Sequence, residues 1–293
     1  MGWPGSLPAR SVDPRRPGLR TESPALAQYN RRMTARVRLD QLLVARELAP
    51  SRERAQALIL AGAVRVGGQR ADRAAAPVAA DVAITVEAGP RYVSRGGDKL
   101  AGALDDLGLD VRGSVALDVG SSTGGFTDCL LQRGAIRVHC VDVGTNQLDW
   151  KLRSDPRVTV REGQNARLGF ELPESVDLIV ADLSFISLGL ALPPSFRHLR
   201  LGGDLVALVK PQFEAGREKV GPGGIVRDVA VRAATVVAVA ERFTAEGLGA
   251  QRIVASRVAG REGNRELFLH ARKGEAGMAP GRIRVAAMEA AEE

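Results

Sequence analysis

An apolar run, Val115-Ala116-Leu117, closes on Asp118 and gives way to Gly120-Ser121-Ser122-Thr123-Gly124-Gly125, after which helical spacing resumes at Phe126, Cys129 and Leu130. Buried strand, glycine-rich turn and helix in that order are how a doubly wound α/β sheet opens a crevice at its strand ends. Glycine lets backbone approach a ligand closely, and a helix start offers free N–H donors. The spacing is not Gly-x-Gly-x-x-Gly, so the dinucleotide fingerprint fails. A second apolar run, Val138 to Val141, ends on Asp142 at the distance from the loop where a carboxylate takes both hydroxyls of a ribose. A strand-terminal Asp alone would more often cap a turn, but at this distance from a glycine loop the ribose use is the favoured one. Two further runs end in charged residues, Val176–Ala181 in Asp182 and Leu205–Val209 in Lys210, and Glu266 opens a late strand at Leu267. In such sheets ligands bind outside the carboxyl ends of the strands, so these residues are expected around one crevice.

Length and composition allow an enzyme with a polyanionic partner. A chain of 293 residues, 45% apolar, suffices for about two globular domains. A net charge of +7 and a pI near 10.1 favour a polyanion as partner. Only 4% of residues are aromatic, which argues against base stacking on a broad aromatic sheet and for recognition by shape and phosphate. Cys129 and Cys140 fall at positions expected to be buried and reduced, so no disulfide framework is indicated. His139, His198 and His270 lack ligand spacing, and no metal site is expected. The longest apolar run, near Ala233 to Ala240, is far short of the roughly twenty residues that span a bilayer. The expectation is a cytoplasmic protein with no membrane contact and no obligate protein partner.

The chain divides by pattern. Residues 1–33, with several prolines and six arginines, are expected to form a disordered basic extension; Met33, at its end, is a second candidate start of translation. Residues 34–91 form a small domain. Leu39, Leu42 and Leu43 make one apolar helix face, Pro50 breaks the chain, Ser51 caps a second helix striped by Ala55, Leu58 and Ile59, and Gly62 ends it. Val64-Arg65-Val66 and Val82–Val86 read as strands, with a tight turn at Gly67-Gly68. Eight arginines here (Arg36, Arg38, Arg46, Arg52, Arg54, Arg65, Arg70, Arg73) face four acids (Asp40, Glu47, Glu53, Asp72). Residues 92–98 are expected to be a linker hinged at Gly96-Gly97, residues 99–273 the α/β domain, and residues 274–293 a tail, frayed or briefly helical.

Three resemblances follow from these motifs. The glycine loop with Asp118 is similar to the first motif of S-adenosylmethionine (SAM) methyltransferases, which implies SAM held by Asp118, Gly120, Gly124 and Phe126, with Asp142 on its ribose and Asn165 near its adenine. The helix pair with Gly62-Ala63-Val64-Arg65-Val66-Gly67-Gly68 resembles the RNA-binding module named after ribosomal protein S4, which implies that Arg36, Arg38, Arg52, Arg54, Arg65 and, in the linker, Arg95 meet RNA phosphates. Lys99, Asp182, Lys210 and Glu266 resemble the catalytic tetrad of FtsJ-like RNA ribose 2′-O-methyltransferases. Taken in order from about Thr34 to Lys273, the motifs resemble the TlyA family of rRNA cytidine-2′-O-methyltransferases, whose members also carry the name haemolysin. That resemblance implies a Rossmann-like methyltransferase sheet behind an S4-type domain, with ribosomal RNA and ribosomal subunits as partners. The alternatives are a membrane-active haemolysin-type protein, which no strong amphipathic stripe supports, and an RNA-binding module without catalysis.

Overall fold

The computed structural model describes residues 36–87, 89–260 and 263–293, so the extension expected over residues 1–33 lies outside the described residues. The chain forms two compact units, Met1–Gly89 and Pro90–Glu293.

In the first unit, β1 (Arg36–Arg38) leads directly into α1 (Leu39–Ala45), and α2 (Arg52–Leu60) follows after the break at Pro50. The Ser51 hydroxyl accepts the Arg54 N–H and starts α2 as the sequence predicts. Strands β2 (Val64–Val66) and β3 (Gln69–Arg70) pair antiparallel across Gly67 and Gly68, whose φ values of 56° and 82° suit a two-residue hairpin turn. Strand β4 (Pro77–Ala79) pairs with β1, and β5 (Ile84–Val86) with β2. Leu39, Leu43, Ala55, Ile59 and Val64 fill a small core between helices and hairpin.

The second unit is built on a seven-stranded sheet. In chain order its strands are β6 (Val115–Val119), β7 (Arg137–Val141), β8 (Val158–Arg161), β9 (Val176–Ala181), β10 (Leu199–Val209), β11 (Leu248–Ala255) and β12 (Leu267–Lys273); in space they run β11-β12-β10-β9-β6-β7-β8. Strands β6 to β10 are parallel, and β12 is inserted antiparallel between β10 and β11. The central strands are apolar on both faces because helices cover both. One face packs on α8 (Val229–Ala245), the other on α3 (Arg95–Leu107) and α4 (Gly125–Gln132). The strand order reverses between β6 and β9, which places the crevice of the sheet at their carboxyl ends.

Two expectations about boundaries need correction. Residues after Lys273 are not a tail: α9 (Pro280–Glu292) buries Ile283, Ala287, Ala290 and Ala291 against the sheet and α8. Alanines at helical spacing form a weak apolar signal, yet their small size lets two helices pack closely. Arg232 of α8 fastens the end of α9 by donating from Nη2 to the Ala291 carbonyl at 2.7 Å. Gly96-Gly97 is not a hinge either. Both lie in the first turn of α3, where Gly97 is buried and a Cβ on it would sit 2.2 Å from Cγ of Tyr92. The Val93 N–H bonds Asp128 at 2.9 Å and Gln132 bonds the Arg91 carbonyl at 3.0 Å, so this stretch is fastened along α4.

Candidate active site

The glycine loop after β6 is shaped by what surrounds it. Gly120 has φ 84°, and a Cβ there would lie 2.7 Å from the Asp182 carbonyl oxygen, so the ends of β6 and β9 meet too closely for a side chain. Gly124 has φ 93°, and its Cβ would lie 2.3 Å from Leu152, in the short helix α5 (Trp150–Arg153). Its requirement for glycine thus comes from its positive φ and from packing against α5.

Two of the expected cofactor residues are structural. Asp118 lies on the face of β6 that turns toward α4, with no exposed surface; Oδ2 accepts the Thr127 hydroxyl at 2.7 Å and the Thr127 N–H at 3.1 Å, while Oδ1 has no hydrogen-bond partner. It braces the start of α4 from beneath. Burial pushes its carboxyl up to about 7, and the nearby Asp182 and Asp142 charges add to the rise, against the pull of Thr127. Phe126 is only 3% exposed and packs on Phe268, with ring centroids 6.1 Å apart, so it belongs to the core. Strand alternation explains both: Asp118 is one residue out of phase with the side chains that border the crevice, and Phe126 sits on the buried side of α4.

Asp142, at the end of β7, accepts the Ser122 N–H on Oδ2 and the Gly144 N–H on Oδ1, each at 2.7 Å. It therefore ties the glycine loop to the next strand end. A carboxylate has about four acceptor sites, so two remain for the hydroxyls of a ribose, and the donor set fits that group. Asn165 uses its side-chain oxygen on the Arg167 N–H at 3.1 Å, capping a single 3-10 turn, and is exposed.

The four charged residues expected for chemistry fall into two ion pairs. Lys210, just past β10, lies 2.6 Å from Asp182, just past the neighbouring β9, and its ammonium donates to Ser184 Oγ at 2.9 Å. Lys99 of α3 donates to Glu266 at 2.5 Å. Glu266 precedes β12, and the pairing of Val209 with Leu267 puts it beside Lys210 at the same edge of the sheet. Lys99 and Glu266 are buried, while Lys210 and Asp182 keep about an eighth and a quarter of their side-chain surface.

A motif search does not find Phe185. It is 91% exposed, takes φ 66° and faces Phe213 with ring centroids 5.1 Å apart; the Lys210 ammonium lies 5.9 Å from the Phe213 ring. An exposed bulky residue with positive φ is a backbone outlier. Nothing in its local sequence signals that conformation, which depends on where the loop is anchored.

In the small unit the expected RNA contacts divide. Arg38 grips Asp40 with Nε at 3.0 Å and Nη2 at 2.8 Å; Arg52 reaches the same carboxylate at 3.2 Å, and Gln56 at 3.1 Å. Asp40 is fully covered, and these donors, Arg38 first, hold its carboxyl well below the usual carboxylate range. Arg65 pairs with Glu87, and Arg95, in the second unit, donates to the Ala259 carbonyl. Arg36 and Arg54 are exposed, with no side-chain hydrogen bond or ion pair among the described residues. Thus four of the six arginines also serve the fold, because guanidinium groups on a small domain find carboxylates and carbonyls within reach. No group of three or more His, Cys, Asp or Glu among the described residues is arranged to hold a metal.

Sheet order, inserted antiparallel strand and glycine loop together define the Rossmann-like sheet of SAM-dependent methyltransferases, fused to a small RNA-binding module. The chain belongs to the FtsJ-like methyltransferase family, which matches residues 92–273, and residues 37–84 match the S4 domain. It is 49% identical over 243 residues to the 16S/23S rRNA (cytidine-2′-O)-methyltransferase TlyA of Mycobacterium tuberculosis, covering 81% of this chain and 90% of that protein. It is 39% identical over 237 residues to Hemolysin A of Brachyspira hyodysenteriae, covering 80% and 99%. Among solved structures, a hemolysin-named protein from Streptococcus thermophilus superimposes with TM-score 0.66 at 38% identity, over 88% of this chain and 97% of that one.

Proposed function

We propose that this chain methylates the ribose 2′-hydroxyl of cytidines in ribosomal RNA, using SAM as methyl donor. The observation that carries the reading is the pair of lysine–carboxylate contacts, Lys210–Asp182 and Lys99–Glu266, at the same sheet edge as the glycine loop. The printed activity of the M. tuberculosis relative supports the choice of substrate.

Bound SAM supplies an electrophilic methyl carbon on a sulfonium. A ribose hydroxyl is a poor nucleophile, so the protein's part is to align it with that carbon and ease the loss of its proton. As the ammonium that Asp182 and Ser184 hold and direct, Lys210 polarises the hydroxyl; it takes the hydroxyl proton only after giving up one of its own to become the neutral amine. Lys99 and Glu266 steady the ribose and the Lys210 pair. Gly120 and Gly124 let the cofactor lie against backbone, Asp142 offers acceptors to its ribose, and the exposed ring of Phe185 presents a face on which an unstacked base can rest. Of the arginines expected to meet RNA in the S4 unit, Arg36 and Arg54 are open for phosphate, as are the outer faces of Arg38 and Arg52.

The test is transfer of labelled methyl from SAM to ribosomal subunits that lack the modification, with the product mapped for 2′-O-methylcytidine. Lys210→Ala is expected to slow transfer at saturating RNA by about 100-fold or more while SAM binding measured by calorimetry persists. Transfer by Lys210→Ala within a few-fold of wild type would remove the lysine from this role. SAM binding without transfer would reduce the protein to a binding module. Lysis of lipid vesicles without SAM binding would favour the membrane-active reading, for which no described helix is long and apolar enough to cross a membrane.

A further inference from the structure

Asp182 and Lys210 end neighbouring strands, and each is followed by a segment outside the sheet, a loop after Asp182 and a single helical turn after Lys210. Three contacts join those segments. Lys210 bonds Ser184, Phe213 meets Phe185, and Oε1 of Glu214 accepts the Leu188 N–H at 2.8 Å. On one side the partners lie on a single turn, α7 (Pro211–Glu214) with Lys210 as its cap, so residues 210 and 214 share a face. On the other they run along the loop from Asp182 to the first residue of α6 (Leu188–Ala191).

That loop has two anchors. Its start is held in the sheet by the Asp182 N–H bond to the Val119 carbonyl at 3.1 Å. Its end is held by the Leu188 side chain, buried in the core, and by Glu214 on the Leu188 N–H. Between them Phe185 adopts φ 66° with 91% of its surface exposed, its ring resting on Phe213 and not in the core. Strained backbone of this kind persists only when its surroundings over-determine it. Ser187 has the residue type and position to cap α6 locally, but its side chain makes no capping bond; the acceptor comes instead from a residue 26 positions away. Glu214 takes part in no ion pair among the described residues. Burial pushes its carboxyl above the ordinary value, against the Leu188 N–H and Ser187, which pull it down. A partly buried carboxylate from the segment that carries Lys210 thus supplies the acceptor that a local cap could have supplied.

We propose that Glu214 is a positioning residue for methyl transfer: by tying Leu188 to the segment that carries Lys210, it holds the Asp182–Phe185 loop where Ser184 and Asp182 can aim the Lys210 ammonium. The proposal rests on the RNA methyltransferase reading for its activity arm. What counts is reach and an acceptor oxygen, not charge. Glutamine keeps both, since its amide oxygen can take the same N–H; aspartate keeps the charge but is one methylene short.

The experiment uses the full chain as Glu214→Ala, Glu214→Asp and Glu214→Gln, with methyl transfer to unmodified ribosomal subunits and chymotryptic cleavage after Phe185 as independent readouts. Glu214→Ala and Glu214→Asp are expected to lower the rate at saturating SAM and RNA by about 10- to 100-fold, because ångström-scale misplacement near the chemistry costs that much, with KM for SAM within about 2-fold of wild type. Glu214→Gln is expected to stay within about 3-fold of wild type in rate. Cleavage after Phe185 should accelerate about 10-fold in the Ala and Asp variants and stay at the wild-type rate in the Gln variant, since release of the loop end opens the segment to the protease. If Glu214→Asp behaves as wild type and Glu214→Gln does not, charge rather than reach is at work and the proposal is overturned. Full activity and unchanged cleavage in Glu214→Ala would overturn it as well. Should the Ala variant fail to fold, the Asp and Gln pair decides alone. A wild-type protein that transfers no methyl to ribosomal RNA would end the functional reading, and cleavage after Phe185 would then judge Glu214 by itself.

Discussion

Asp40 and Asp118 are both fully covered aspartates, and they have settled the cost of burial in opposite ways. Asp40, in the S4 unit, has Arg38, Arg52 and Gln56 around it and is held far down in the acid range, charged at any working pH. Asp118, under the glycine loop, has only the hydroxyl and N–H of Thr127, feels the charges of Asp182 and Asp142, and is pushed up to about 7. The lesson is that burial alone does not decide the state of a carboxylate; the partners decide it. Asp40 is a cationic cluster's counter-ion, whereas Asp118 serves as an acceptor whose burial favours the protonated form.

The contrast can be broken from the Asp118 side first, where the largest effect is expected. A raised folded-state value means that the native protein prefers the protonated form, so Asp118 costs stability above about pH 7 and the cost fades as pH falls toward the unfolded value. Asp118→Asn keeps an acceptor for Thr127 without the charge. It should therefore stabilise the second unit at pH 8, by about 3 kcal/mol, and hardly at all near pH 4, as read by urea unfolding at several pH values. A loss of stability at pH 8 would mean that the ionised form is the one the fold needs.

Asp40→Ala should act in the opposite direction. Its carboxylate is roofed by arginines that are themselves nearly half exposed, so the loss is put at about 2 kcal/mol, below that for breaking a deeply buried pair. Since the folded value is depressed, the wild-type contribution is present above about pH 4 and is lost as pH falls through the folded value. Amide hydrogen exchange of α2 reads this unit without interference from the other. The smallest effect belongs to the arginines. Arg54→Ala should leave stability within about 0.5 kcal/mol and reduce the salt slope of RNA binding by about one, as for a free phosphate contact. Arg52→Ala, by contrast, should cost up to about 1 kcal/mol with a smaller change in slope. Equal slopes for the two would show that the Asp40 cluster still presents Arg52 fully to RNA.

Much of the architecture was legible in the residues because it depends on short-range pattern. Apolar runs that end in Asp118, Asp142, Asp182 and Lys210, the helix stripes, the Ser51 cap and the Gly67-Gly68 turn are all local signals, and each element formed where expected. What failed was of three kinds. Weak apolar signals misled at α9, whose alanines bury a face that composition reads as neutral. Side-chain direction misled at Asp118 and Phe126, where the residue type fitted a ligand but the strand or helix turned it to the core. At Gly97, the glycine that suggested a hinge in the sequence marks a place where the Tyr92 side chain sits.

By itself, then, the order of residues determined a doubly wound domain behind a small arginine-rich one, and it named the charged groups that end the strands, since alternation and spacing are properties of neighbours along the chain. Only the tertiary structure decided which charges meet: that Lys210 turns to Asp182 and Ser184, that Lys99 crosses to Glu266, and that Asp40 collects two arginines. Pairing energies depend on distance and surroundings, and both come from strands and helices far apart in sequence being packed into contact.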